Sequence, residues 1–557
     1  MRVLIGFLFA LALSACATTA PPEQRSQLFV AAANPLAAEA GMKVLREGGS
    51  AVDAAVAVQA VLGLVEPQSS GLGGGAFMLH RDGKTGKVTA YDGRETAPAG
   101  AMPDMFLDDN GKPLPFMTAV LSGRSTGAPG AVAMLGLAHR EHGRRPWPAL
   151  FEDAVRLADQ GFTVSPRLAG FISSQAAQAK TPDAAAYFTG PDGARYQAGD
   201  LLKNPAYAST LRRVAAEGSR ALLEGPVAQA IVAKVRAAPL PGSLSTADLR
   251  AYQPKEGDAL CRPYRVYVVC VPPPPSSGVA LLQALMMLEH TDIATRGPMD
   301  PAAWAELAEV QRLMYADRDR YVGDPAFVGV PVEALLDPTY VAKRATGITE
   351  HAAPNPSAGE LPVAFAPDAT LEAAGTSHFV IVDGEGDVVS MTTTVESVFG
   401  SGRMIGGFFL NNQLTDFSFQ PVENGRPAAN AVAPGKRPRS SMSPVIVLDR
   451  EGRFVAALGS PGGSSILAYN LKTLVGVLDW GLAMDEAIEL PNLIARGDTF
   501  TGDTGRFDGR VLRGLADRGM VLKDTGFEVS GLHGVIVRPG GLEGGADSRR
   551  EGVVLID

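Results

Sequence analysis

The hydrophobic period changes along this chain, and the changes divide it into a helical part and a strand-rich part. Asn34-Pro35 opens the first helical pattern, with Asn as N-cap and Pro at the first helical position, and Gly48-Gly49 stops it. Ser50-Ala51-Val52-Asp53 has the spacing of a capping box and starts a second helix through about Leu64. That helix is apolar on nearly every face, so it is expected to be buried. A 3.6-residue period then dominates from about 129 to 345, over 131–141, 148–160, 204–217, 227–237, 278–288 and 301–315. The run Pro272 to Gly278 reads as a stiff turn whose serines cap the 278–288 helix. About Ala352 to Ala374 has Pro354, Pro356, Pro362 and Pro367 and no sustained period, and reads as a loose linker. Beyond it lie short strands rich in Val, Thr and Gly, at 405–410, 445–448, 454–458, 533–537 and 552–556. Strands buried under helices on both sides predict a layered α/β sandwich.

The strand-rich part begins with a hairpin. Phe379-Val380-Ile381-Val382 runs into Asp383-Gly384-Glu385-Gly386-Asp387 and returns through Val388-Val389 to Thr392-Thr393-Thr394. With the turn centred on Glu385, Thr376 lies opposite Thr394. A threonine at the mouth of a sheet, preceded by Gly375 and a linker, suggests that the chain is cut between Gly375 and Thr376. The freed α-amine would then serve as base for the threonine hydroxyl.

Length, charge and cysteines narrow the picture. A chain of 557 residues with 46% hydrophobic and 20% charged residues is a folded globule of one large or two intimately associated parts. A net charge of −9, with no Lys/Arg run, argues against nucleic acid as a partner. The first 15 residues have a charged start and an apolar core too short to span a bilayer well, and read as an export signal. Leu13-Ser14-Ala15-Cys16 resembles a bacterial lipobox, which makes Cys16 the expected lipidated N-terminus of a periplasm-facing protein, with Ala17 favouring the outer membrane. Cys261 and Cys270 could lie on two arms of a hairpin turning near Arg265, close enough for a structural disulfide; a single strand would hold them too far apart.

Other candidate features carry less. Gly71-x-Gly73-x-x-Ala76 approximates a dinucleotide fingerprint, but it follows a helix and precedes a strand, the reverse of the required order. Close backbone approach is the better account of its glycines. No His/Cys/Asp set has metal-ligand spacing, and His378 reads as a structural neighbour of the cleavage point.

Seven motifs in order resemble the γ-glutamyltransferases, members of the N-terminal nucleophile hydrolases. They are Gly48 to Ala55, Ser70 to Gly75, Pro273 to Gly278, Thr376-Ser377-His378, Asn411 to Phe417, Arg437 to Pro444, and Gly459 to Gly463. The resemblance runs from about Ala31 to the C-terminus and implies a four-layer αββα sandwich. It also implies self-cleavage into a large subunit, 16–375, and a small subunit, 376–557, which stay together as an αβ heterodimer.

The same resemblance assigns roles. Thr376 attacks first the Gly375 carbonyl and later the γ-carbonyl of a glutamyl group. Thr394 hydrogen-bonds the nucleophile, and Gly462 and Gly463 supply oxyanion amides. Arg94, Ser440 and Ser441 take the donor's α-carboxylate, and Gln413 and Asp416 surround its α-ammonium. Glu396 stands where many relatives have asparagine, and the 416–440 segment is short and lacks tyrosine, so a more open site with altered selectivity is expected. The implied substrates are glutathione and related γ-glutamyl compounds, with water or an acceptor amino acid or peptide resolving the acyl-enzyme, and no cofactor. Two other readings stay open: a β-lactam side-chain acylase, such as one for glutaryl-cephalosporins, and an uncut surface lipoprotein that binds γ-glutamyl ligands.

Overall fold

The computed structural model describes residues 27–557 apart from 369, 371, 374 and 526–529. The export signal and Cys16 therefore lie outside the described residues. Two antiparallel sheets stack face to face. Their strands, in chain order, are β1 (Phe29–Ala32), β2 (Gly75–Arg81), β3 (Val88–Asp92), β4 (Lys255–Asp258), β5 (Leu260–Tyr264), β6 (Tyr267–Val271), β7 (Gly375–Val382), β8 (Val388–Glu396), β9 (Val445–Asp449), β10 (Phe454–Gly459), β11 (His533–Arg538), β12 (Gly541–Ala546) and β13 (Val553–Ile556). The first sheet has the order β13-β1-β7-β8-β2-β3-β4, and the second β12-β11-β10-β9-β6-β5.

Alternation along the strands builds the layers. Phe29, Ala31, Val380 and Val382 of the first sheet meet Ile446, Leu448, Ala457 and Val535 of the second. The opposite-facing Val30, Ala32, Phe379 and Ile381 pack under helices α1 (Pro35–Arg46) and α2 (Ala51–Val65). Val445, Val447, Ala456 and Leu458 pack under α3 (Gly278–Leu288), α4 (Pro301–Tyr321) and α5 (Ile466–Leu478). This is the expected αββα sandwich.

Local signals act as the sequence reading expects at both early helices. Asn34 Oδ1 accepts the Leu36 amide, and Ser50 and Asp53 form the capping box of α2, all fifteen residues of which are buried. The glycines before β2 are there for backbone contact: a Cβ on Gly74 would lie 1.9 Å from the Thr394 carbonyl oxygen, and one on Gly73 2.3 Å from that of Phe409. Cys261 and Cys270 face each other across the β5–β6 hairpin and form a disulfide. At α3 the capping oxygen belongs to Ser276, which accepts the Gly278 amide, while Ser277 receives Arg318 Nε.

Two expectations need correction. The 405–410 segment is not one strand: Gly406 and Gly407 have φ of +55° and +82°, and Met404–Ile405 folds back on Phe408–Phe409. The linker, in turn, is not loose at its end. Asp368 is 3% exposed, and Glu372 and Ala373 are hydrogen-bonded into the site described next.

Candidate active site

The hairpin register places Thr376 directly opposite Thr394. Thr376 Oγ1 donates to Thr394 Oγ1 at 3.1 Å, and Thr394 Oγ1 donates to the Gly375 carbonyl oxygen at 2.6 Å. The Glu396 amide donates to the same Thr394 oxygen at 2.8 Å. One donor and two acceptor positions exhaust a hydroxyl, so the Thr394 side chain is fixed in one orientation. Thr376 is also held from behind, where Arg550 Nη1 donates to its carbonyl oxygen at 2.8 Å.

A bulge follows Thr394, shifting the register so that Glu396 pairs with Gly375. Glu396 has φ of +82°, a left-handed conformation that costs a non-glycine residue about 1–2 kcal/mol. The bend turns its carboxylate inward, where Oε1 accepts the Ala373 amide at 2.7 Å and Oε2 accepts Ser397 Oγ at 2.6 Å and Asn412 Nδ2. Bulges commonly re-aim a side chain beside an active site in this way.

Asp416 sits beside Glu396. Its Oδ2 accepts Arg94 Nη2 and Gln413 Nε2, both at 2.6 Å. Burial, then the Glu396 charge, drive the Asp416 carboxyl well above the usual range, and burial also raises Glu396. Both carboxyls are thereby biased toward their protonated forms. Arg94 is further tied to the carbonyl oxygens of Pro438 at 3.1 Å and Arg439 at 2.6 Å.

Gly462 and Gly463 form the turn that opens α5, with φ of +134° and +55°, conformations that favour glycine. A Cβ on Gly463 would lie 2.3 Å from the Glu372 carbonyl oxygen, so the linker's end lies directly on this turn. Ser464 N donates to that oxygen at 3.2 Å. Backbone amides at the start of a helix make a ready anion site.

Thr376, Thr394, Arg94, Glu396, Gln413, Asp416, Ser440 and Gly463 line one cavity, so most of the expected site residues are brought together. Ser441 joins through its amide, which donates to Glu372 Oε2 at 2.7 Å. Gly462 adjoins Gly463, while the disulfide lies in the second sheet, where β5 is an edge strand. In the uncut chain only about 10 Å³ is free there, about the room of one water, and Glu372 and Ala373 stand in its walls. Past these two residues lies a cleft of about 950 Å³ with Pro113, Leu114, Phe116 and Phe419 in its walls.

The sequence reading missed Glu372, Arg318, Arg439 and Arg550. Arg318 stands in Asp317-Arg318-Asp319-Arg320, in the last turns of α4, which continues to Tyr321 beyond the expected 301–315 stretch. The structure buries Arg318 against partners supplied by the linker and by the Ser440-Ser441 segment. His378 is buried, with Nδ1 on Thr392 Oγ1 at 2.9 Å and Gly459 packed against its ring. Burial holds its pKa well below the ordinary value, consistent with a structural role.

A family model described as gamma-glutamyltranspeptidase matches residues 37–556. The chain belongs to the gamma-glutamyltranspeptidase family. It is 36% identical to a glutathione hydrolase proenzyme of Bacillus subtilis over 95% of this chain and 91% of that one. It is 38% identical to a glutathione hydrolase proenzyme of Escherichia coli, over 84% and 81%. An acylase ACY 1 proenzyme of Pseudomonas is 33% identical over 95% and 94%. Among solved structures, the gamma-glutamyltranspeptidase of Helicobacter pylori matches with a TM-score of 0.53 and 31% identity, covering 62% of this chain and 94% of that one. A cephalosporin acylase of Bacillus halodurans shares the fold, with a TM-score of 0.82 and 24% identity over 98% and 99%.

Proposed function

We propose that this family member cuts itself between Gly375 and Thr376 and then hydrolyses or transfers the γ-glutamyl group of glutathione and related compounds. The carrying observation is the hydrogen-bond chain from Thr376 Oγ1 through Thr394 Oγ1 to the Gly375 carbonyl oxygen. Thr394 there polarises the bond to be cut and can relay the nucleophile's proton, accepting it from Thr376 Oγ1 as it passes its own to the Gly375 oxygen. Attack by Thr376 Oγ1 on the Gly375 carbonyl carbon forms a C–O bond. The C–N bond then breaks with the relayed proton passing to the Thr376 nitrogen, and water cleaves the resulting ester to release the Gly375 carboxylate and restore the Thr376 hydroxyl. The α-amine so exposed, with an ordinary pKa of about 7.7–8.0, suits general-base work near neutral pH.

In the second reaction the amine takes the proton of Thr376 Oγ1 as it attacks the γ-carbonyl. The amides of the Gly462-Gly463 turn face the developing oxyanion, a placement that in other hydrolases is worth about 2.7–4 kcal/mol per donor. The donor's amine departs with a proton, and water or an acceptor amine resolves the ester. Asp416 and Glu396 face the donor's ammonium, with Gln413 and Arg94 orienting Asp416; Ser440, Ser441 and Arg94 stand at its carboxylate. The neighbouring cleft gives leaving group and acceptor a route once Glu372 and Ala373 have moved out.

The cut pieces are expected to stay together, because β1 and β2 from one product hydrogen-bond to β7 and β8 from the other. No helix among the described residues is long and apolar enough to cross a membrane. We place the mature protein in the periplasm, held through a lipid on Cys16.

The glutaryl-acylase reading has the acylase relative in its favour, but a glutaryl group has no ammonium and would leave the buried Asp416–Glu396 pair without a partner. Release of p-nitroaniline from γ-glutamyl-p-nitroanilide, compared with glutaryl-p-nitroanilide, tests the choice. The glutamyl donor should win by at least about tenfold in kcat/KM, the effect of about 1.4 kcal/mol. Preference for the glutaryl donor would overturn the reading.

A further inference from the structure

We propose that Arg318, with the amide and hydroxyl of Ser441, forms part of the donor-carboxylate subsite of the cut enzyme, and that Glu372 occupies this subsite until the cut. The inference rests on the functional reading above and names a residue which that reading does not use.

Glu372 lies four residues before Thr376, and its side chain behaves as a bound ligand. The carboxylate pairs with Arg318 Nη2, accepts the Ser441 amide at 2.7 Å, and lies 3.8 Å from Arg439 Nε. Arg318 Nη2 also donates to Ser441 Oγ at 2.7 Å, so one guanidinium nitrogen serves both carboxylate and serine. Burial opposes ionisation of Glu372, but Arg318 and Arg439 outweigh it and hold the carboxyl down at about 2.

The geometry on the Arg318 side does not depend on the linker. Its Nε is held by Ser277 Oγ at 3.0 Å and its Nη1 by Asp319 at 3.0 Å. A cavity of about 10 Å³ with Glu372 and Ala373 in its walls has no room for a glutamyl group, so these residues have to leave before turnover. Their departure strips the carboxylate from Nη2 and from the Ser441 amide, leaving Arg318 with Asp319 as its remaining carboxylate partner and two buried donors on the space that Glu372 vacates. Buried donors left without an acceptor are costly, and a carboxylate on the incoming donor restores the hydrogen bonds that Glu372 made to Nη2 and to the Ser441 amide. Arg94 cannot supply the whole fork, because its Nε and Nη2 are committed to Asp416 and two carbonyl oxygens outside the linker.

The test compares γ-glutamyl-p-nitroanilide with 4-aminobutyryl-p-nitroanilide, which keeps the ammonium and lacks the carboxylate. In cut enzyme, R318Q should lower kcat/KM for the glutamyl donor about 100-fold, chiefly through KM, and leave the 4-aminobutyryl donor within about threefold. R318K, which retains the buried charge, should show a smaller loss with the same selectivity. Equal losses on both donors, or none on either, would overturn the proposal. Should neither variant accumulate in cut form, E372A poses the question with Arg318 in place. Its self-cleavage should be slow and restored saturably by added glutarate. E372A that cleaves at the wild-type rate, or stays slow whatever the glutarate, also overturns it. Wild-type enzyme inactive on every γ-glutamyl donor would sink the functional reading, while glutarate rescue of cleavage would still report on this subsite.

Discussion

The hydroxyl of Thr394 donates to the carbonyl oxygen of Gly375 at 2.6 Å, so the residue paired with the proposed nucleophile also grips the bond proposed to be cut. In the proposed self-cleavage Thr394 therefore does the work that the Gly462-Gly463 amides are proposed to do later for substrate. Substituting Thr394 with Ala should slow self-cleavage by about 10²–10³-fold, the usual cost of one oxyanion donor, while T394S should retain most of the rate. The accumulation of cut product with time, followed on denaturing gels, checks both variants. Unimpaired cleavage in T394A would remove Thr394 from the reaction.

The close approach of the Gly73-Gly74 loop to β8 leads to a second prediction. A methyl group on Gly74 would meet the Thr394 carbonyl oxygen at 1.9 Å, and backbone on either side has no room to yield. G74A should displace the strand bearing Thr394, leaving the chain uncut and markedly less stable. Gly136, where an added Cβ meets nothing within 4 Å, is the control: G136A should cleave normally. Melting temperatures and cleavage of the pair decide the matter.

How much of this was legible in the sequence depends on the range of the interaction responsible. The Thr376–Thr394 pairing followed from period-two strands around a short turn, and the Cys261–Cys270 bridge followed from the same kind of local register. The capping of α1 and α2 is written in residues three or fewer apart. The break at Gly406-Gly407 was missed because the flanking apolar residues continue a strand pattern across two glycines at positive φ. The seating of Glu372 was missed for another reason: its partners, Arg318 and Ser441, come from a helix and a loop far away in sequence. No local period announces a carboxylate that will fill a buried site.

A third prediction concerns pH. Burial raises Asp416, with the Glu396 charge adding to it, and burial raises Glu396, so the empty pair favours its protonated form. An ammonium between them favours the ionised form, so binding a glutamyl donor releases a proton and strengthens as pH rises. A glutaryl donor brings no ammonium and gains nothing. The ratio of kcat/KM for the two p-nitroanilides should therefore climb with pH, by at most about tenfold per unit for one released proton. A flat ratio from acid to neutral pH would contradict the assignment of this pair to the ammonium.

The disulfide makes a separate claim about stability. It closes a short loop in the β5–β6 hairpin, and its removal should cost about 2–3 kcal/mol. C261S/C270S should melt lower than wild type and keep its rate of self-cleavage, because neither cysteine lines the site. Denaturant titration and the cleavage time course measure the two effects independently.

The most direct measurement is the intact mass of protein expressed from Ala17 onward and purified under native conditions, beside T376A. The account predicts two polypeptides in wild type, the smaller running from Thr376 to Asp557, and a single chain in T376A. A folded wild type that remains one chain, with no free amine on Thr376, would contradict the account at its centre.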